Sequence, residues 1–237
     1  MKNLVALDPQ VHRDIRINPH TIEAKWAKLN MVPVVLSEFS KLVVQFPIVF
    51  SKNIETGQFV CVALTGFEKG QNLFWENGSS TSIYTPLHIT HLPFYVGQDE
   101  QSNNNSVICI DTQSSALSEQ GEALFDVEGN ATPYLKSAQS HLQALVEGTP
   151  QTETFISLLL KYKLLTQITL DITFGNGTKN TIKGLYSVDE ERMEKLSESQ
   201  IIELQQSGYL QLIHIQLASL GQIYALINKK NKMDLIE

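Results

Sequence analysis

Two histidines three residues apart, His88 and His91, are the pair whose spacing best fits a chemical role. Residues three apart on a helical turn share a face, so both imidazoles could bind one metal ion. A third ligand, such as Asp111, would have to come from another part of the chain. The HExxH arrangement of metalloproteases, which supplies a general base, is absent. We assign no metal, and keep His88, His91 and Asp111 as candidate ligands beside a simpler interpretation, in which the two histidines cap and pack the turn.

The other common catalytic patterns are missing. A hydrolase of the nucleophile-elbow type would show a GxSxG turn after a strand, and none occurs. A nucleophilic cysteine needs an exposed thiol with a lowered pKa, whereas Cys61 and Cys109 lie in apolar runs. No phosphate-binding P-loop is present, and Gly175-Asn176-Gly177 lacks the third glycine and the following helix of a dinucleotide site. We therefore assign no catalytic residue and no cofactor, although a flavin or nucleotide could bind without a motif.

A short acidic stretch places Asp126, Glu128 and Asn130 at alternate positions, with Gly129 between the last two. An EF-hand calcium loop needs a glycine at the sixth position and a glutamate at the twelfth, between two helices. The sequence offers neither. A solvated surface turn explains the acidic residues.

The charge of the chain excludes several classes of partner. It has 18 basic and 25 acidic residues, a formal net charge of −7 and a pI near 5.4. Nucleic acids and anionic membrane surfaces bind proteins that concentrate Lys and Arg on one face. The one basic run, over residues 229–232, predicts a solvated tail. We expect neither kind of partner.

The apolar runs and the cysteines predict a soluble, cytoplasmic protein. A secretory signal has about 7–15 apolar residues, and the first run here, Leu4–Leu7, is shorter. The apolar stretch Leu210–Ile227 is interrupted by polar residues, so we expect no membrane span. Two cysteines without a CxxC pattern are typical of the reducing cytosol. A disulfide between Cys61 and Cys109 is geometrically feasible if their strands are neighbours.

In the first half of the chain, short helices precede strands. Asn18-Pro19 predicts a helix start, and Ile22, Trp26 and Leu29 share one helical face. The remaining elements are a short helix over 36–44, strands over 47–50, 58–66, 71–75, 94–96 and 106–111, a tight turn at 54–57, a helical turn between 85 and 93, and a polar loop over 98–106.

The second half alternates helices with one hairpin. Helices over 132–147 and 152–164 are separated at Gly148-Thr149-Pro150. Strands over 167–174 and 179–186 flank Asn176-Gly177, the strongest hairpin signal in the chain. Later helices are predicted from a cap at Asp189, a capping box over 197–200, and an apolar stripe at Leu210, Ile213, Leu217, Leu220 and Tyr224. Alternation at Leu210, Leu212 and His214 leaves a strand start open.

These patterns predict an α+β fold. We expect an antiparallel β meander or sheet with packed helices in the N-terminal half, and a C-terminal β-hairpin with helices. Residues 1–237 form one domain, with a subdivision near 130 as an option: 1–130 would be β-rich and 131–237 helical with the hairpin.

Several short segments occur in a characteristic order. They are Phe46–Phe50, Val62–Phe67, Gly70–Phe74, Ile108–Asp111, Gly121–Asp126, Thr132–Leu135 and Gly184–Glu190. In order and spacing they resemble the bacterial SapC family over nearly the whole chain. The resemblance implies a link to a surface-layer locus, and to genes for outer-membrane receptors and flavin-dependent halogenases. It supplies no catalytic residues, and the peptide-permease label that some members carry conflicts with the lack of a predicted membrane span.

The resemblance and the residues together favour a soluble accessory or binding protein with a protein or small-molecule partner. We expect Tyr84, Phe94 and Tyr95, together with Asp126 and Glu128, to line its contact surface, although the aromatic residues could simply cap a sheet. One alternative is a metal-dependent enzyme that acts on a peptide or amino-acid-derived small molecule. Another is a structural role in a surface layer, which requires export. The sequence does not determine the oligomeric state.

Overall fold

The computed structural model describes residues 2–99 and 105–235. The strands are β1 Leu4–Ala6, β2 Arg16–Ile17, β3 Met31–Pro33, β4 Ile48–Lys52, β5 Phe59–Leu64, β6 Trp75–Glu76, β7 Ser79–Ser80, β8 Phe94–Asp99, β9 Asn105–Asp111, β10 Leu117–Ser118, β11 Glu122–Ala123, β12 Leu165–Thr173 and β13 Lys179–Val188. The helices are α1 Pro19–Trp26, α2 Phe39–Leu42, α3 Leu87–Thr90, α4 Pro133–Lys161, α5 Glu190–Met193, α6 Glu198–Gln206, α7 Tyr209–Ser219 and α8 Gln222–Met233, with a 3-10 turn at Leu36–Glu38. The paired strands are antiparallel, which confirms the α+β class.

The chain forms two compact units, each built from segments distant in sequence. The first unit comprises Met1–Ala27, Trp75–Ser80 and Thr85–Glu147, and the second Lys28–Phe74, Thr81–Tyr84 and Gly148–Glu237. A division near residue 130 coincides with none of the boundaries between these segments. Because contacts between distant segments define the units, a change in composition along the chain does not mark them.

The first unit contains three small sheets. Their strand orders are β1-β9-β8, β10-β2-β11 and β6-β7. The β6-β7 hairpin turns at Asn77 and Gly78, which both have positive φ, the geometry of a tight two-residue hairpin. Helix α1 begins where predicted, with the Asn18 side chain accepting a hydrogen bond from the His20 backbone N–H at 3.0 Å.

The second unit is organised around one five-stranded sheet, in the order β12-β13-β4-β5-β3. Phe155 of α4 lies in its core, with its ring centroid 6.3 Å from that of Phe50 and 5.2 Å from that of Tyr209. The predicted β12-β13 hairpin is confirmed. Phe174 and Thr178 close it with a backbone hydrogen bond of 2.8 Å, and Gly177 supplies the positive φ.

Two predicted elements are wrong. Gln71–Phe74 is not a strand, because Asn72 turns the chain by accepting the Phe74 N–H. The predicted break at Gly148-Thr149-Pro150 is absent, since α4 is continuous from Pro133 to Lys161. The polar loop predicted over 98–106 starts later, because β8 and β9 extend to Asp99 and Asn105, and residues 100–104 lie outside the described part of the chain.

The buried side of α7 and α8 is not the predicted apolar stripe. Of that stripe only Ile213 is buried, while Tyr224 is 75% exposed. The buried positions are instead Ile213, Gln216, Ser219 and Leu226. Polar side chains occupy this side because they hydrogen-bond to the backbone of β4: Gln216 Nε2 donates to Ile48 O at 2.9 Å, and Ser219 Oγ accepts from Ile48 N at 2.8 Å.

The helical run Tyr209–Met233 is long and apolar enough to cross a membrane by length and composition alone. Its mean hydropathy is 1.4, and 22% of the tested window is buried inside the protein. A core helix of a soluble protein meets the same criterion. The basic run at 229–232 belongs to α8 rather than to a frayed tail, and Lys230 pairs with Asp234 at 2.6 Å.

Candidate functional site

Helix α3 is a single turn that carries both histidines of the predicted pair. Its apolar residues Leu87 and Ile89 are buried, which fixes the orientation of the turn. The rings of His88 and His91 lie edge to face with centroids 6.1 Å apart. His91 Nδ1 lies 2.9 Å from the carbonyl oxygen of Leu87. Because a carbonyl only accepts, Nδ1 of His91 carries the proton and Nε2 carries the lone pair.

Burial keeps both imidazoles uncharged at neutral pH. Desolvation, and to a lesser extent the neighbouring His91, lower the pKa of His88 to about 4. Desolvation also lowers the pKa of His91; the hydrogen bond to Leu87 opposes this, and Lys2 and His141 add to it. Neutral imidazoles can accept or donate a hydrogen bond but supply no positive charge to a ligand.

We expect the protein to lose stability as the pH falls from about 6.5 to 4, because the unfolded chain then binds a proton that folded His88 refuses. The contribution of neutral His88 to the free energy of unfolding is fully present above pH 6.5, the pKa of the residue in the unfolded chain. It is lost as the pH falls toward 4, the pKa of the residue in the folded protein. After allowance for partial solvent exposure, the loss is about 1–2 kcal/mol. His88→Gln should flatten this part of the pH profile in urea unfolding, whereas His20→Gln, at an exposed position, should not. An unchanged slope in His88→Gln would contradict the assignment.

The structure brings the two histidines together but gives the metal hypothesis no third ligand. The Asp111 carboxylate accepts hydrogen bonds from the backbone N–H groups of Asn3 and Gln113, at 3.0 and 3.1 Å. Over residues 2–99 and 105–235, no group of three His, Cys, Asp or Glu side chains is placed to hold a metal ion. His88, His91 and Asp111 therefore do not form the centre that their spacing suggested.

A pocket of about 190 Å³ lies beside this turn, between α1, α3 and the first part of α4. Its lining residues are Pro19, Ile22, Glu23, Thr85, Ile89, Thr90, Tyr134, Ser137, Ala138 and His141. The buried side chains of Ile22, Ile89 and Ala138 make its inner wall apolar. An apolar cavity with a few polar groups at its margin is the usual form of a small-molecule site.

Six of the ten residues that line the α1–α3–α4 pocket have side chains that can form hydrogen bonds: Glu23, Thr85, Thr90, Tyr134, Ser137 and His141. Thr90 Oγ1 is buried and has no hydrogen-bond partner among the described residues. Tyr134 stays a neutral phenol, since burial and, secondarily, the charge of Glu122 raise its pKa to about 12. Glu23 adds the one carboxylate of the lining. The Nδ1 of His88, on the same turn as Thr90, is likewise buried without a partner in the described chain.

Sequence reasoning missed this pocket, although part of its signal was present. Tyr134, Ala138 and His141 fall at i, i+4 and i+7 on α4 and so share one face. By itself, the pattern around His141 indicates only an amphipathic helix. That Ile22 and Thr90 come to lie beside this face depends on the packing of α1 and α3, which no local pattern encodes.

The predicted aromatic contact surface is only partly available. Phe94 is 1% exposed and belongs to the core of the first unit, so it cannot reach a partner. Tyr95 is half-buried, with Lys2 Nζ 4.2 Å from its ring centroid. Tyr84, in the second unit, donates a hydrogen bond of 3.0 Å to the buried Glu38, and burial followed by the Glu38 charge raises the pKa of Tyr84.

The acidic residues Asp126 and Glu128 are exposed and lie in a turn that satisfies its own hydrogen bonds. Asp126 Oδ1 accepts from the backbone N–H groups of Glu128 and Asn130, at 2.9 and 2.8 Å. These bonds, that from Asn130 first, lower the pKa of Asp126. The turn has the geometry expected of a solvated Asx turn, and its part in a contact surface stays a prediction.

The cysteines and the remaining histidines take no part in the pocket. Cys61 and Cys109 are free and buried, and burial raises the pKa of the Cys61 thiol far above its ordinary value. The feasible disulfide does not form. His12 is buried, with Nδ1 accepting from the Asp8 N–H at 2.9 Å, and His214 is exposed.

The comparisons with known proteins bear on the family and not on this pocket. No curated protein and no solved structure matches the chain. A family model described as SapC matches residues 7–226 of its 237 residues, which is nearly the whole chain. The chain therefore belongs to the SapC family.

Proposed function

We propose that this protein is a non-catalytic binding protein whose α1–α3–α4 pocket takes up a small molecule with one ring and one polar group. The observation that carries the proposal is the unpartnered hydroxyl of Thr90, a residue that lines a pocket with an apolar inner wall. A buried hydroxyl without a partner costs about 1–3 kcal/mol. A ligand that supplies the missing hydrogen bond removes this cost, so the protein gains stability from a polar ligand that it does not gain from a purely apolar one.

The size of the pocket sets the size of the ligand. A dry apolar cavity of about 150 Å³ binds benzene in another protein, and this pocket measures about 190 Å³. One ring with a small substituent therefore matches the space. Its polar group would hydrogen-bond to Thr90 or Tyr134, both of which are neutral, while Glu23 disfavours an anion.

The cellular setting belongs to the same proposal. The resemblance to SapC proteins supports an accessory role linked to a surface layer, nutrient uptake or halogenase-associated tailoring. The acidic net charge supports a protein without nucleic-acid partners, and a cytoplasmic location is part of the proposal. Fractionation of the producing cells tests the location directly.

Phenol and toluene test the pocket, because they share a ring and differ in the hydroxyl. We expect the protein to bind phenol more tightly than toluene in ligand-observed NMR titrations. Thr90→Val replaces the hydroxyl with a methyl group of similar shape, so it should weaken phenol binding about fivefold or more and leave toluene binding unchanged. In the unligated protein the same change should raise the free energy of unfolding by about 1 kcal/mol.

Two control variants separate the hydroxyl from the space. Thr90→Ser keeps the hydroxyl and should keep the preference for phenol. Ala138→Leu fills the pocket and should abolish binding of both probes while the fold is retained. If the unmodified protein binds neither probe, or if Thr90→Val weakens both equally, the proposed site is wrong.

A further inference from the structure

We infer that the ligand of the α1–α3–α4 pocket is an arylalkylamine, a ring with a protonated amine on a short arm, whose ammonium group pairs with Glu23. The inference rests on the proposed function and names the chemical class of its ligand. Glu23 lines the pocket and is half-buried. Within residues 2–99 and 105–235, its carboxylate has no hydrogen bond and no ion pair. A cationic ligand therefore supplies the partner that the protein itself does not.

The other polar groups of the lining do not neutralise the charge of Glu23. Lysine and arginine are absent from the described residues that line the pocket. Thr90 has a neutral hydroxyl, and Tyr134 is a neutral phenol whose pKa is raised to about 12. His141 is the one basic side chain of the lining. At a pH above the titration range of histidine, the lining therefore has one negative charge and no positive one.

A second carboxylate acts on the pocket from another element. Burial first, and then the charge of Glu122, raise the pKa of Tyr134, so this charge is felt at the phenol group. Glu122 belongs to β11, whereas Glu23 belongs to α1. Negative potential thus reaches the pocket from two segments far apart in the sequence, and it attracts a cation and repels an anion.

The apolar wall and the carboxylate together define the shape of the ligand. Ile22, Ile89 and Ala138 are buried, and a ring can pack against them. Glu23 follows Ile22 directly and is only half-buried, so the charged end of the ligand avoids the cost of full burial. With about 190 Å³, the pocket holds little more than one ring. A short arm therefore brings the amine within reach of both Glu23 and Thr90.

An ammonium group also satisfies the acceptors of the lining. Its three N–H groups only donate, and Thr90 Oγ1, the Tyr134 hydroxyl and the Glu23 carboxylate can all accept. A neutral alcohol can bond to the same oxygens but forms no ion pair with Glu23. Because a hydrogen bond between two charged groups is stronger than one with a neutral donor, the amine should bind more tightly than the alcohol of the same shape.

Benzylamine and benzyl alcohol test the inference, because they have the same shape and differ in charge. At pH 8 a primary amine is protonated and free imidazole is not. We expect benzylamine to bind at least about fivefold more tightly than benzyl alcohol in ligand-observed NMR titrations at low salt. Glu23→Gln keeps the size of the side chain and should bring the two affinities within about twofold of each other. Glu153→Gln, at an exposed position of α4 outside the lining, removes the same charge and should keep the preference.

Added salt gives a readout on the unmodified protein, which needs no variant to fold. About 0.5 M sodium chloride should reduce the preference for benzylamine, since it screens the ion pair at the half-buried Glu23. Circular dichroism checks the fold of the two variants.

The outcomes separate this inference from the proposed function. If benzyl alcohol binds and benzylamine binds no more tightly, or if the preference survives in Glu23→Gln, the amine assignment is wrong while the pocket remains a binding site. If neither probe binds, both are wrong. A preference that Glu23→Gln removes and Glu153→Gln keeps supports the ion pair.

Discussion

Replacing Gln216 with alanine is expected to lower the free energy of unfolding by about 3–5 kcal/mol. Gln216 is fully buried on α7, and its amide connects the helix to two strands. Nε2 donates to Ile48 O at 2.9 Å, and Oε1 accepts from Val188 N at 3.3 Å and from Ser187 Oγ at 3.4 Å. Alanine removes the amide and leaves these buried groups without that partner, in addition to a cavity.

Chemical denaturation of a small set of variants separates the contribution of the lost hydrogen bonds from that of the cavity. Gln216→Met restores most of the volume but none of the hydrogen bonds, so it should remain destabilised by more than about 2 kcal/mol. Gln211→Ala, at an exposed position of the same helix, should change stability by less than about 0.5 kcal/mol. A loss below about 1 kcal/mol for Gln216→Ala would show that the amide is not a structural link between α7 and the sheet.

Gly148→Val is expected to lower the free energy of unfolding by about 3 kcal/mol. Replacing a glycine within a helix ordinarily has the opposite effect and raises the free energy of unfolding by about 0.5–1 kcal/mol. A Cβ at Gly148 would lie 2.9 Å from Cβ of Val35, well inside van der Waals contact. The surroundings are fixed, because Thr152 Oγ1 donates to Gly148 O at 2.7 Å and accepts from Leu36 N at 3.1 Å.

The opposing side chain provides the test of this steric explanation. In a double-mutant cycle, Val35→Ala should recover at least about 1 kcal/mol of the loss caused by Gly148→Val. It keeps Cβ of Val35 but removes Cγ2 and Cγ1, which would lie 2.9 and 3.3 Å from the added Cβ. Gln151→Ala, at an exposed position of α4, serves as the control for helix propensity. If the changes in the free energy of unfolding caused by Gly148→Val and Val35→Ala simply add in the double variant, the steric contact between positions 148 and 35 is contradicted.

Features fixed by neighbouring residues were predictable from the sequence. The turn at Asn176-Gly177 has its positive φ at Gly177, the Asp189 side chain accepts from Arg192 N at 3.1 Å, and the Ser197–Gln200 capping box forms as expected. Each of these depends on groups two to four residues apart, so the local sequence contains the whole interaction.

Features fixed by distant residues were predicted wrongly or missed. Gly148 and Pro150 indicate a helix break, yet α4 runs through both, because Gly148 is the residue that lets α4 approach Val35. The stripe through Leu210 and Tyr224 indicates a buried face, yet Gln216 and Ser219 are buried instead, since only polar side chains can pair with the backbone of β4.

The sequence by itself determined the α+β class, the hairpins, most helix starts and the SapC family. The tertiary structure alone decided the two units and the pocket beside Thr90. The physical reason is range: caps and turns are completed within a few residues, whereas a pocket or a sheet edge exists only once segments far apart in the chain have packed together.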